Sequence, residues 1–190
     1  MSRLPYLKRD ELDEEGRAVW DSVTASRGAT AVNDAGTLSG PFNAFVHAPG
    51  VGAPLSELGA ALRSRTSIDR RLAELAIITV GANWRAEVEW WGHARMARRY
   101  GVPDAVVEAI GNGETPVLES EDDRVVYNLA YQLVREGRLD GVVYGAARER
   151  LGDRGVVELV SLCGYYTLVA FTLNAFDVPL PDGVQRRWPD

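Results

Sequence analysis

The chain has 190 residues, of which 46% are hydrophobic and 25% charged, and its formal net charge is −6 at pH 7. This balance is typical of one globular domain, or of two small helical halves that share a core. The acidic charge disfavours a nucleic-acid partner, because nucleic-acid binding needs clustered Lys and Arg. We interpret the basic cluster Arg95, Arg98 and Arg99 as cations that complement the end of a helix dipole.

The chain contains one cysteine, Cys163. A lone cysteine excludes an internal disulfide and a Cys-x-x-Cys redox centre, and its apolar neighbours predict a buried, inert thiol. The N-terminus has no apolar run of the signal-peptide type. The longest apolar stretch, residues 156–175, is interrupted by polar residues and a glycine, so we expect no membrane span. These features predict a cytoplasmic protein.

The first third of the chain predicts helices on either side of a loop. Residues 8–26 have helical periodicity, with Asp10 as the N-cap. Residues 27–41 are rich in glycine and predict a long loop of the kind that is often functional or mobile. A short apolar segment over 42–47 and a helix over 51–65 follow.

The rest of the chain is helical in pattern up to its extended tail. A helix capped by Ser67 or Asp69 ends at Gly81-Ala82-Asn83, and few segments alternate with period two, so we predict an all-α fold. We expect a single domain with an N-terminal arm over 1–40, a core over 41–177 and a C-terminal tail over 178–190. The further predicted helices cover 85–100, 103–112, 122–136, 140–151 and 153–176.

Residues 69–75 and 153–159 share the spacing Asp-Arg-x-x-x-Glu-Leu. Each stretch continues through an apolar segment to a Val-Pro pair. The pattern predicts two related helical hairpins packed together, although a chance resemblance of two amphipathic helices also explains it.

Candidate chemistry centres on His93, one of two histidines. Glu89 lies four residues before it and shares its helical face. A carboxylate at this spacing is expected to favour the charged imidazolium. Glu74 lies on the preceding helix, where a tight hairpin would bring it to the same place. Glu74, Glu89 and His93 beside the apolar wall of Trp90 form a candidate acid/base site.

The alternative is that Glu89 and His93 are simply solvated on a helix surface. A metal site is disfavoured, because the region has no His-Glu-x-x-His pattern and no second histidine nearby. We therefore expect no metal ion and no cofactor.

The run RRLAELAIITVGANWRAEVEWWGHARMA over residues 70–97 resembles the core of the carboxymuconolactone decarboxylase family, which includes the AhpD-type alkylhydroperoxidases. The segment GPFNAFVHAP over residues 40–49 resembles this family's lead-in. The resemblance covers nearly the whole chain and implies an AhpD-like helical bundle. It also implies a trimer or a higher assembly, to which the apolar last helix and the tail would contribute.

The peroxidase branch of this family carries a Cys-x-x-Cys-x-x-x-His motif preceded by a glutamate. Here His93 and Glu74 fall on the motif histidine and glutamate, but Ala86 and Glu89 stand at the two cysteine positions. The resemblance therefore implies a non-thiol branch without the nucleophilic and resolving thiols of peroxide reduction.

Three further residues are candidates for substrate binding: Asn43, His47 and Trp90. Each has a structural alternative, namely a turn for Asn43, a helix cap for His47 and core packing for Trp90.

The prediction for function is a small-molecule acid/base enzyme of the decarboxylase (lyase) type, acting on an organic acid or lactone, with Glu74, Glu89 and His93 as catalytic residues. The alternatives are an AhpD-like alkylhydroperoxidase, or antioxidant protein, and a non-catalytic binding protein that keeps the fold. The expected partners are a small-molecule substrate and further copies of the chain.

Overall fold

Helices form nearly all the regular structure in the computed structural model, which describes residues 2–189. Within those residues the only β pairing is an isolated bridge between Val32 and Leu38. The all-α prediction is therefore confirmed. The α-helices in chain order are α1 (Glu14–Arg27), α2 (Phe42–His47), α3 (Pro49–Ser64), α4 (Arg70–Asn83), α5 (Glu87–Arg99), α6 (Asp104–Asn112), α7 (Glu121–Glu136) and α8 (Gly141–Ala175).

The chain divides into two compact units. The first contains the chain up to Ser64 together with Thr172–Pro179, and the second contains Arg65–Phe171 and the residues from Leu180 onward. These boundaries differ from the predicted arm over 1–40, because α2 and α3 both pack against α1. The segment after residue 40 thus shares a core with the N-terminal helix.

The first unit packs α1, α2 and α3 around a small apolar core. α1 begins at Glu14, where the Asp13 side chain accepts a hydrogen bond from the Gly16 amide at 2.7 Å. The predicted start at residue 8 with Asp10 as the cap is wrong, because Arg9–Glu11 forms a separate 3₁₀ turn. The core residues include Val19, Trp20, Val23, Leu38, Phe42, Phe45 and Val46.

The second unit is organised around α4. Leu75, Ala76, Ile78 and Val80 on this helix are completely buried. A helix that is apolar on all sides needs neighbours on all sides, and α4 contacts α5, α6 and α7. Polar side chains in the middle of α4, such as Glu74 and Thr79, are therefore held away from water.

Helix α8 includes both of the predicted helices over 140–151 and 153–176. They join at Gly152, whose φ of 68° and ψ of 172° are non-helical and suit only glycine. By length and composition, α8 is apolar enough to cross a membrane. This differs from the sequence-based expectation, which took Gly164 and Asn174 as interruptions, because the helix continues through both residues. Half of its most apolar window is buried, and the core helix of a globular protein meets the same criteria.

Candidate functional site

The α4–α5 hairpin carries all three predicted acid/base residues. Arg85 takes a positive φ of 47° in the turn, and the Ala86 amide donates to the Gly81 carbonyl at 2.9 Å. This tight turn makes α4 and α5 neighbours. The second copy of the internal repeat, which begins at residue 153, has no such turn and continues as α8. In that copy Val169 stands at the position of Arg85, and a positive φ is strongly disfavoured for a β-branched residue.

Glu74 is completely buried on α4. Its Oε1 lies 2.6 Å from Nη2 of Arg70, one turn earlier on the same helix, and its Oε2 lies 2.7 Å from Nδ1 of His93. A buried carboxylate is tolerated when partners compensate its charge. Glu74 has two such partners, one on each helix of the hairpin.

His93 binds Glu74 through one ring nitrogen and leaves the other available. Because an ionised carboxylate only accepts hydrogen bonds, Nδ1 carries the proton in this contact. Within residues 2–189, Nε2 has no hydrogen-bond partner, and the side chain is 21% exposed. The ring of Tyr166 stands edge-on to the imidazole at 4.9 Å. An imidazole oriented in this way presents the Nε2 lone pair, as a general base must.

Glu89 is buried in a different environment. Neither of its carboxyl oxygens has a hydrogen-bond partner in the described part of the chain. The carboxyl group faces α4 at Gly81, where a methyl group in place of the glycine hydrogen would lie 3.2 Å from Oε1. Burial raises the pKa of Glu89 well above its ordinary value of 4.5. Desolvation therefore favours the neutral carboxylic acid form of Glu89 over the carboxylate.

The structure thus brings two of the three predicted residues into direct contact and places the third in a different environment. Glu74 and His93 are in direct contact, whereas Glu89 forms no hydrogen bond with either. Burial disfavours the charged form of Glu89 on which its predicted support of the imidazolium depends, and that support stays a prediction.

Two further residues contribute to this site, and sequence reasoning gave no site role to the first of them, Arg70. Arg70 precedes Glu74 by four residues, which is the spacing of a helical ion pair, so its role had a sequence signal. Tyr166 approaches His93 from α8. No local pattern links residues so far apart in sequence, and only the packing of α8 reveals this contact.

Asn43 and His47 contact the N-terminal segment of the first unit. Asn43 accepts from the Leu7 amide at 3.3 Å and donates to the Pro5 carbonyl at 3.0 Å. Nε2 of His47 lies 2.9 Å from the same carbonyl oxygen. Both residues lie within α2 and attach it to the N-terminal segment, which differs from the predicted turn and helix cap; their role toward a substrate stays a prediction.

Trp90 packs against the C-terminal tail of the second unit. Its ring meets that of Trp188 at a centroid distance of 5.4 Å, and the Arg187 guanidinium lies over it at 5.1 Å. The amides of Arg187 and Trp188 both donate to the carboxylate of Glu87, at 2.9 and 2.7 Å. Trp90 is therefore a packing residue for the tail.

Cys163 is almost completely buried, and burial raises the pKa of its thiol to about 12. A thiol in this state neither ionises at neutral pH nor meets solvent. We expect the folded protein not to react with a thiol-specific reagent such as Ellman's reagent, and Cys163→Ser to keep any activity unchanged. The unfolded protein in denaturant is the positive control, and rapid labelling of the native protein would contradict the expectation.

Among residues 2–189, no group of three or more His, Cys, Asp and Glu side chains is placed to hold a metal ion.

Comparison with known proteins shows the fold. The chain is similar to the crystal structure of an alkylhydroperoxidase AhpD core, an uncharacterized peroxidase-related protein from Ralstonia eutropha JMP134, with a TM-score of 0.75, 15% identity and coverage of 100% of this chain and 98% of that one. It is similar to the apo debrominase Bmp8, with a TM-score of 0.71, 13% identity and coverage of 93% and 91%. A cysteine-to-alanine Bmp8 variant in complex with 2,3,4-tribromopyrrole gives a TM-score of 0.73, 13% identity and coverage of 96% and 95%.

No family model matches the sequence, and no curated protein matches it either. The predicted AhpD-like helical fold is nevertheless confirmed by the structural likeness.

Proposed function

We propose that this protein is a small-molecule enzyme that works by proton transfer, with His93 as the proton-transferring residue and Glu74 as its positioning residue. The observation that carries the proposal is the contact between Nδ1 of His93 and the buried Glu74 carboxylate at 2.7 Å. A carboxylate that fixes one imidazole nitrogen leaves the other as a directed base. A solvated surface pair would not involve a completely buried glutamate.

The two carboxyl groups of the hairpin support an acid/base division. Glu74 is compensated by Arg70 and His93, whereas Glu89, one turn from His93, has no hydrogen-bond partner in the described part of the chain, and burial raises its pKa. Titratable groups whose environments set opposite protonation states are typical of acid/base sites. In this proposal His93 accepts protons and Glu89 is a buried proton donor.

The proposed substrate class is an organic acid or lactone. Nε2 of His93 removes a proton from an acidic C–H group, and the electron pair stays on the substrate as an enolate-like anion. For a β-keto-type or vinylogous acid, the bond to the carboxyl group breaks instead. CO2 then leaves, the electron pair enters the conjugated system, and protonated His93 or Glu89 delivers the proton to carbon. Water restores that proton afterwards.

The likeness to a structure with a bound small organic compound supports a small-molecule substrate. One similar structure holds 2,3,4-tribromopyrrole, a small ring compound. The replacement of both family thiol positions by Ala86 and Glu89 favours proton chemistry over peroxide reduction.

The test is a panel of lactones, β-keto acids and related carbon acids incubated with the protein in D2O and followed by proton NMR. Decarboxylation and C–H exchange are both visible without knowledge of the product. We expect one or both with at least one compound class, and no consumption of an organic hydroperoxide in a parallel assay. Peroxide turnover that disappears in Cys163→Ser would contradict the proposal.

We also propose that the chain forms a homo-oligomer through α8. An exposed stripe with heptad-like spacing runs along this helix and consists of Val157, Ser161, Gly164, Leu168 and Phe171. Val157 is 65% exposed and Phe171 49% exposed. Apolar and small residues at this spacing suit close helix–helix packing.

Light scattering should therefore give more than the mass of one 20.8 kDa chain. Val157→Glu with Leu168→Glu should reduce the mass toward that of a single chain, because two buried charges oppose the interface. Arg148→Glu, on an exposed part of α8, is the matched control. A monomeric parent protein at micromolar concentration would refute this prediction.

A further inference from the structure

A separate cavity of about 250 Å³ lies in the second unit, on a different part of α4 from the Glu74–His93 pair. Residues near the carboxyl ends of α4 and α6, three residues of α7 and Trp188 line it. Its size suits a ligand smaller than the drug-sized molecules that fill pockets of roughly 300–1,000 Å³. Neither Glu74, Glu89 nor His93 lines this cavity.

Two solvent-exposed arginines contribute positive charge to the lining of the cavity. Arg85 and Arg135 both line it, and no ion pair forms with either within residues 2–189; their only ring contact is that of Arg135 with Tyr131, at 5.1 Å. Most other arginines of this unit, for example Arg98, bind carboxylates. Two guanidinium groups that share a concave site and lack a counter-ion are suited to a carboxylate ligand.

One carboxylate, Glu114, and two helix carboxyl ends oppose this charge. The helix ends are weakened, however, because capping amides already bind their last carbonyl groups: the Glu114 amide donates to Ala109, and the Arg85 amide donates to Ala82. A helix end carries about half an elementary charge before such capping. With Glu114 counted, the two guanidinium groups leave at most one net positive charge at the cavity, and this charge favours a ligand with one negative charge.

The aromatic walls indicate the shape of the ligand. Tyr127 and Tyr131 are stacked with a centroid distance of 5.5 Å and an interplanar angle of 26°, and both line the cavity with Trp188. Flat rings form the best contacts with other flat rings. Trp188 is held in place by its indole N–H, which donates to the Gly111 carbonyl at 3.0 Å.

We propose that this cavity binds a small planar carboxylate, with Arg85 and Arg135 as the charged anchors and Trp188 as one wall. The ligand is an aromatic or conjugated organic acid. The site is additional to the acid/base pair of the hairpin and does not depend on the function proposed for that pair.

The test is calorimetric titration of the intact protein with benzoate, which has both a ring and a negative charge. Benzamide keeps the shape without the charge, and acetate keeps the charge without the ring. We expect benzoate to bind and both controls to bind at least several-fold more weakly. Arg85→Gln and Arg135→Gln should each weaken benzoate binding about 10-fold or more, because each removes a charge-assisted contact. Trp188→Ala should weaken it as well.

The matched control is Arg148→Gln, which removes an exposed arginine on α8 that pairs with Asp153, and it should bind benzoate like the parent protein. Absence of benzoate binding at millimolar concentration overturns the proposal. Equal binding of benzamide overturns it too, as does binding that survives both arginine substitutions. Loss of binding in His93→Gln with no effect of the arginine substitutions would place benzoate in the hairpin site and refute the second site.

Discussion

His93→Gln is expected to lower turnover of any substrate found in the D2O panel by ~10² to 10⁴-fold, the usual contribution of a general acid or base. Glutamine retains a polar group that can meet Glu74, but it cannot accept and release a proton near neutral pH. The fold should survive, because the side chain lies at the edge of the core and is 21% exposed. Rate measurements together with thermal unfolding separate the two effects.

The matched control is His47→Gln, which replaces the only other histidine. His47 contacts the Pro5 carbonyl in the first unit, so its replacement should change turnover by much less. Equal losses in the two variants, or full activity in His93→Gln, would remove His93 from the mechanism.

Glu74→Gln tests the positioning role. The variant keeps the shape of the side chain but removes the charge that Arg70 and His93 share. If Glu74 acts by orienting His93, kcat should fall more than KM changes, and the pH–rate profile should alter. A purely structural role would lower the melting temperature and leave the pH profile of the remaining activity as it was.

Glu89→Gln is expected to stabilise the protein at neutral pH and to make no difference in mildly acidic solution. The pKa of Glu89 is raised in the folded state, so the folded protein holds a proton that the unfolded chain releases above about pH 4.5. Below that pH, Glu89 is protonated in both the folded and the unfolded chain, and stability does not depend on its ionisation. As pH rises from there toward the folded-state pKa, the free energy of unfolding of the parent protein falls by up to about 1.4 kcal/mol per pH unit.

The measurement is urea unfolding of the parent protein and of Glu89→Gln at pH values between 4 and 8. We expect the two free energies to agree near pH 4 and to diverge as pH increases, with the variant more stable. Glu89→Met extends the test, because it also removes the unpaired polar atoms and should stabilise at every pH. Glu57→Gln, on the partly exposed α3, serves as the matched control with no such divergence. A constant offset between parent and Glu89→Gln would show that ionisation of Glu89 is not responsible.

The local pattern was sufficient for most helices and for the hairpin. Asp69 caps α4 as predicted, and the Gly81-Ala82-Asn83 stop matches the helix end at Asn83. Helix caps and helix periodicity are short-range effects, so residues that lie close together in sequence are enough to predict these features. The start of α1 was misplaced, because Asp10 and Asp13 are both good caps and the choice between them depends on how Leu12 packs into the core.

For the candidate site, the sequence identified the residues but not their states. The nineteen-residue separation of Glu74 and His93 was enough to predict that they could meet across a hairpin, and they do. The same sequence could not distinguish the two glutamates, since both lie near His93 in the pattern. Arg70 reaches Glu74 through helical spacing, but only the tertiary packing places His93 on Glu74 and leaves the Glu89 carboxyl group without a hydrogen-bond partner in the described part of the chain.

The sequence by itself therefore determined the all-helical class, the hairpin and the candidate site residues on it, because helix periodicity and turn residues act over a few positions. The tertiary structure decided which of the two buried carboxyl groups has charged partners, that Tyr166 faces His93, and that Arg85, Arg135 and Trp188 line one cavity. Desolvation of a side chain depends on which helices pack around it. Contacts between residues that lie tens of positions apart likewise form only when the chain has folded.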